Sequence, residues 1–193
     1  MTNYSSHGVL SPCFEEAEAF LTALAGQDAQ FTFQTFDDVE VWDEAKQKTV
    51  KRADKSLLSI KQGTFDQHKN ALAAINKRGG GIFVTINETD LKGRSLANML
   101  KVRALFVDLD GSPLQPILDL PEDLQPHIII ESSPNRWHAY WLVNNCELDQ
   151  FKPLQQALAA LFDGDKQVCD LPRVMRLAGF SHNKQEPFIT RIV

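Results

Sequence analysis

Apolar positions in the first quarter of the chain recur with two different periods. Phe14, Ala17, Leu21 and Leu24 follow helical spacing. Ser11 is placed to cap the free amides of that helix, and Pro12 suits its first turn. Glu15, Glu16 and Glu18 suit its positive start, and Gly26 its stop. Residues 31–36 (FTFQTF) alternate apolar with polar, which predicts a strand, and Asp37-Asp38 turns the chain. Thr64 followed by Gln67 predicts a capping box opening a second helix. Phe65, Leu72 and Ile75 form its apolar side, and Gly79-Gly80-Gly81 ends it. Residues 82–86 read as a buried strand and 101–110 as another. Residues 113–126 are Pro-rich and read as a loop with one helical turn. Residues 127–131 and 138–143 predict a hairpin, 148–162 an amphipathic helix, and 188–193 a last strand. Strands and helices are intermixed, so the class is α/β or α+β.

Composition narrows the function classes. The 193 residues carry 20 basic and 25 acidic side chains, a net charge of −5. A strongly basic chain would point to nucleic acid through phosphate neutralisation. Here any such contact must come from local patches. One candidate is the run from 46 to 61, with Lys46, Lys48, Lys51, Arg52, Lys55 and Lys61. It reads as a solvated loop or hairpin, or as a surface that tracks a phosphate backbone. Cys13, Cys146 and Cys169 lack CxxC spacing, so buried free thiols are expected. No apolar stretch is long enough to span a bilayer, and residues 1–8 are polar, unlike a signal peptide. A cytoplasmic protein is expected.

The most informative stretch is residues 103–111 (RALFVDLDG). In a strand, Asp108 and Asp110 point the same way and Leu109 the other. Two close carboxylates repel, and a divalent cation removes the conflict. Hard oxygen donors suit Mg²⁺ or Mn²⁺. Haloacid-dehalogenase-like phosphatases share this pattern, with the first Asp as nucleophile and the second as general acid. Gly164-Asp165 and Asp170 mimic their distal acids, but about a hundred residues precede the motif here, and a phosphate-binding lysine is hard to place.

Two further segments carry chemistry. Residues 131–141 (ESSPNRWHAYW) read as strand, turn, strand, with Ser132 beside the turn. His138, Tyr140 and Leu142 share one face, and Trp137, Ala139 and Trp141 the buried other. Ser132 and His138 can donate hydrogen bonds to an anion such as a polyphosphate. Residues 170–179 (DLPRVMRLAG) hold Asp170, Arg173 and Arg176 within seven residues. Arginines give multidentate phosphate recognition, and Asp170 is placed to complete a metal site.

Together these elements resemble the three motifs of archaeo-eukaryotic primases and primase-polymerases: an acid pair after an apolar strand, a Ser…His motif, and an Asp flanked by apolar residues. The likeness is greater to the primase domains of plasmid, phage and integrated-element replication proteins. It runs from residues 31–38 through 80–90 and Gly93-Arg94 to 176–179 and Asn183-Lys184. The resemblance implies one catalytic domain over 1–193, with an α/β unit over roughly 1–100. An RNA-recognition-module-like unit over 101–193 would carry the motifs. It implies Mg²⁺ or Mn²⁺ on Asp108, Asp110 and Asp170, and a triphosphate held by Ser132, His138, Arg173, Arg176 and Lys184. Implied partners are a single-stranded DNA template, NTP or dNTP, and a replicative helicase or helicase domain. Asp110 departs from the Glu of many relatives, and Ala178 from a frequent Pro. A non-catalytic DNA-binding domain is a further alternative.

Overall fold

The computed structural model describes residues 10–184 and 186–193. The polar start read at residues 1–8 lies outside the described residues. Helix α1 (Phe14–Ala25) buries Ala17, Phe20, Leu21 and Leu24, as its spacing predicts. Its N-cap is Cys13 and not Ser11, and no side chain caps it. The Cys13 N–H instead donates to the Gly179 carbonyl at 2.8 Å, so a distant loop anchors the helix start.

Strands β1 (Phe31–Asp37), β2 (Glu40–Asp43), β3 (Lys48–Lys51) and β4 (Ser59–Gly63) follow. The basic run thus includes one arm of the β2–β3 hairpin and part of β4. Over residues 31–35 both faces of β1 are buried, including Thr32, Gln34 and Thr35. The alternation in its sequence therefore does not mark a solvated face. Thr35 and Gln34 meet their needs inside, donating to the carbonyls of Leu57 and Ser59. Helix α2 (Phe65–Lys77) opens on the Thr64–Gln67 capping box.

Next come β5 (Gly80–Thr85), β6 (Glu88–Thr89), β7 (Met99–Lys101) and β8 (Ala104–Leu109). The strand expected over 101–110 is therefore two. β7 pairs with β6, whereas β8 enters another sheet, and the break falls at Val102-Arg103. The short α3 (Gln115–Leu118) supplies the expected turn. Strands β9 (Ile128–Ser133) and β10 (Arg136–Leu142) form the hairpin, and α4 (Leu148–Leu161) follows. The chain then runs through β11 (Val174–Arg176), β12 (Ser181–His182), β13 (Phe188–Ile189) and β14 (Arg191–Ile192). The last strand is split at Thr190, whose hydroxyl donates to the carbonyls of Leu177 and Phe180.

Two four-stranded antiparallel sheets carry the architecture, in the orders β11-β5-β1-β4 and β14-β9-β10-β8. A large apolar cluster takes residues from both, among them Phe33, Val84, Phe106 and Tyr140. A smaller one (Val107, Leu109, Ile117, Ala139 and Phe162) lies on the other face of β8 and β10. Alternation along β8 therefore puts Asp108 on the side of Ala104 and Phe106, facing the larger cluster. Trp137 and Trp141 are only partly buried against the smaller cluster, and Trp141 stacks on Phe162.

Buried Asn76 on α2 ties β12 to β5: its amide donates to the carbonyls of Gly80 and Ser181 and accepts the Ser181 N–H. Gly179 has φ +81°, and a Cβ there would lie 2.1 Å from the Cys13 carbonyl oxygen. Gly179→Ala is expected to cost roughly 2–4 kcal/mol through strain and overpacking, read as a lowered urea midpoint at unchanged m-value. The cysteines are free, but each is half-buried and none is fully enclosed. Among the described residues no helix is long and apolar enough to cross a membrane.

Candidate active site

The outer edge of β8 decides where the first acid stands. Only β10 pairs with this strand, so its other side needs partners for its backbone groups. Gln155 on α4 accepts the Phe106 N–H at 3.1 Å and donates to the Phe106 carbonyl. Just past the helix, the Asp165 N–H donates to the Asp108 carbonyl at 2.9 Å. Gly164 permits this approach, because a Cβ there would lie 2.2 Å from Val107 Cγ2. The edge repair thus brings a second acid, Asp165, beside Asp108.

Asp108 has a side chain only 25% exposed. Burial pushes its carboxyl up to about 6 and Asp165 adds to the rise, while Arg176, Arg136 and Arg173 oppose it. Its register partner across the strand pair is His138, whose Nε2 lies 3.6 Å from Oδ1. That is too long for a hydrogen bond. Burial, helped by Arg176, holds His138 down at about 3, so the ring is neutral at physiological pH. The Tyr140 hydroxyl lies 3.2 Å from His138 Nδ1, and burial keeps that phenol protonated. The phenol and Nδ1 share this hydrogen bond, which leaves Nε2 as the nitrogen facing Asp108. Asp110, just beyond β8, is turned to an ion pair with Arg136.

Arg176 on β11 projects from the other sheet. Its fork holds Asp38 through two bonds of 2.8 and 2.7 Å, and the guanidinium lies 4.8 Å over the Phe83 ring. Burial of Asp38 raises its carboxyl, but Arg176 and the Asn183 N–H outweigh that and hold it low. His182 has Nδ1 3.1 Å from the Ser132 carbonyl, so Nδ1 carries the proton. Burial and Arg176 keep this ring at about 4. The buried side-chain atoms without partners among the described residues are Thr85 Oγ1, Arg173 Nε and His182 Nε2. Two of these belong to this region, where unpaired polar atoms commonly mark function.

The structure brings Asp108, His138, Arg173 and Arg176 into one electrostatic neighbourhood. Asp170 pairs with Arg173, three residues on, and Arg173 is one of the arginines acting on Asp108. Ser132 lies on the same strand as Ile130, which pairs with His138, but its hydroxyl donates to the Arg136 carbonyl at 3.3 Å. Lys184 lies 3.4 Å from Glu40 and lines two cavities. One, of about 210 Å³, includes Asp38 and Arg176. The other, of about 330 Å³, includes Arg136 and His182. Asn87 and Arg94 are tied inward, to the Leu171 and Pro172 carbonyls respectively.

Among the described residues, no three His, Cys, Asp or Glu side chains are grouped to hold a metal ion. The chemistry of the acids nevertheless fits a small hard cation. Asp108 and Asp165 are like charges whose mutual repulsion such an ion relieves. Mg²⁺ commonly takes one or two carboxylates and completes its shell with water and phosphate oxygens. Reading the sequence alone missed Asp38, His182 and Arg136. It noticed Asp165 only as part of a phosphatase-like pattern.

Residues 90–190, just over half of the chain, match the family described as the RepB DNA-primase N-terminal domain. The chain belongs to that family. The matched segment of this primase domain holds Asp108, Asp110, Ser132, His138, Asp165, Asp170, Arg173, Arg176 and Lys184. The acid pair at the end of β8 therefore belongs to a primase domain and not to a phosphatase. Solved structures share the fold. The cyanophage S-2L primase-polymerase AEP domain is 18% identical, with 95% of this chain and 91% of that one covered at a TM-score of 0.66. Primase RepB' is 16% identical at a TM-score of 0.66, with 93% of this chain covered but 55% of that one. The RepB' catalytic domain in complex with initiator DNA is 16% identical at 0.63, covering 92% and 82%. A comparison with curated proteins finds no match.

Proposed function

We propose that this primase domain joins nucleoside triphosphates on a single-stranded DNA template in a reaction that requires Mg²⁺ or Mn²⁺. The observation that carries the reading is the convergence of half-buried Asp108, its cross-strand partner His138 and Arg176 from the opposite sheet. Asp108, Asp110 and Asp165 would hold the cation, with Asp110 first exchanging Arg136. Bound there, the cation would activate a hydroxyl for attack and neutralise charge on the transferring phosphoryl group. His138, a neutral ring, would donate from Nε2 to a phosphate oxygen without competing as a cation. Arg173, through its unpartnered Nε, and Arg176 lend positive potential to the same place. Arg136 and Lys184 line the adjoining cavity and orient the rest of the triphosphate. Ser132 joins them once its hydroxyl turns from the Arg136 carbonyl. The initiator DNA bound by the RepB' catalytic domain supports DNA as the template.

The test is incorporation of labelled nucleotides on single-stranded templates, with each divalent metal and with chelator. Asp165→Asn is expected to lower incorporation by about a hundredfold or more, in line with loss of a charge stabilising a transferring phosphoryl group. Asp170→Asn is expected to act less, because its carboxylate pairs with Arg173. A reversed order would return the third acid to Asp170, and metal-independent incorporation would remove the proposal.

A further inference from the structure

A larger cavity, of about 620 Å³, lies away from the acids, among Glu88, Lys101, Arg103, His127, Leu142 and Asn144. Five residues of strand separate Arg103 from Asp108, roughly 16 Å. The Arg103 backbone is held on both sides, its N–H donating to Asn87 at 3.1 Å and its carbonyl accepting from Val143 at 3.0 Å. The guanidinium lies 4.9 Å over the Phe31 ring, and the side chain is only 11% exposed. It has little to balance its charge. One Nη reaches the Gln30 carbonyl at 3.3 Å, and the nearest carboxylate, on the 40% exposed Glu88, is 4.0 Å away. Half-buried Arg176 and exposed Arg52 each close two N–H groups on one aspartate. A buried cation without a close counter-ion is costly unless an anion completes it. The volume is ordinary for a small-ligand site.

Donors converge on the same space. Lys101 is exposed at its rim, and the Asn144 amide stands nearby. The Leu142 N–H donates to His127 Nδ1 at 3.2 Å, which leaves Nε2 as the ring's donor. Leu142 and Val143 give the cavity an apolar wall suited to a sugar or base. We propose that this cavity is a second nucleotide-binding site, in which Arg103 and Lys101 hold a phosphate group of a nucleotide, free or within a DNA strand. Glu88 opposes the anion and turns outward as it enters. The site does not depend on the metal chemistry at the end of β8.

The test is carried out in chelator, with adenosine monophosphate and a short oligothymidylate as probes. In the wild-type protein the Arg103 Nε–H resonance is expected to shift on titration. Arg103→Met, which keeps the stack on Phe31, and the surface change Lys101→Ala are expected to weaken binding about tenfold, the scale of one charged hydrogen bond. Loss of both probes assigns the site to free nucleotide, and loss of the oligonucleotide alone to strand phosphate. An unmoved Arg103 resonance with both probes overturns the proposal. So does wild-type affinity for both probes in Lys101→Ala together with any folded Arg103 variant.

Discussion

Asp108→Asn is expected to stop nucleotide joining and, in chelator, to make the domain more stable. Burial first, and Asp165 second, raise the Asp108 carboxyl to about 6. An unfolded aspartate titrates near 4, so the folded state binds this proton more tightly. The stability tied to it is fully present below pH of about 4 and is lost as pH rises through 6. At neutral pH the ionised group therefore costs roughly 3 kcal/mol at face value, less whatever the nearby arginines lose when the charge goes. Replacing it by a neutral amide should recover about 1–2 kcal/mol, a rise of a few degrees in Tm for a domain of this size. The gain should shrink as pH falls towards 4, because wild-type Asp108 is then protonated as well. Incorporation should fall by about three orders of magnitude, as expected when a metal-holding carboxylate is removed. In the wild type, protonation of metal-free Asp108 should weaken Mn²⁺ binding as pH drops below about 6. A variant that is inactive because it is less stable would contradict this assignment.

The second large effect lies at Arg176. Its fork on Asp38 is 14% exposed and the carboxylate 10% exposed. Arg176→Met would leave that carboxylate with the Asn183 N–H and a neutral His182. Stranding one partner of a buried pair costs about 3–5 kcal/mol, so Tm should fall by roughly 6–15 °C. Burial raises the Asp38 carboxyl, yet the pair holds it low, so its contribution is present above pH of about 4 and fades as pH falls below that. The Asp38→Asn, Arg176→Met double variant should recover much of the loss, because no buried charge then remains unpaired. Incorporation should not recover with it, since Arg176 also supplies positive potential at Asp108 and His138. Recovery of both would make the pair purely structural.

Local patterns disclosed much of this molecule. The capping box at Thr64, the hairpin around residues 132–137 and the span of α4 follow from short-range rules and hold within a residue or two. Asp108 stands out in the sequence because an apolar run ending in two acids is unusual, and the structure sets it opposite His138. What stayed hidden depends on pairing between distant segments. Nothing local says that β8 would leave its sheet edge to Gln155 and the Asp165 amide, yet that repair brings Asp165 beside Asp108. Asp38 reads as a turn residue until β11 brings Arg176 onto it. Asp170 stood out through its likeness to the apolar-flanked Asp of the primase motifs, and what local sequence did not disclose is its ion pair with Arg173.

The central claim is that the acids at the end of β8 hold a divalent cation. The most direct test is a titration of Mn²⁺ followed by electron paramagnetic resonance, on the wild-type protein and on Asp108→Asn, without nucleotide or DNA. Saturable binding to the wild type that disappears in the folded variant is the expected result. Equal Mn²⁺ binding by both proteins would show that the cation, if used, is held elsewhere.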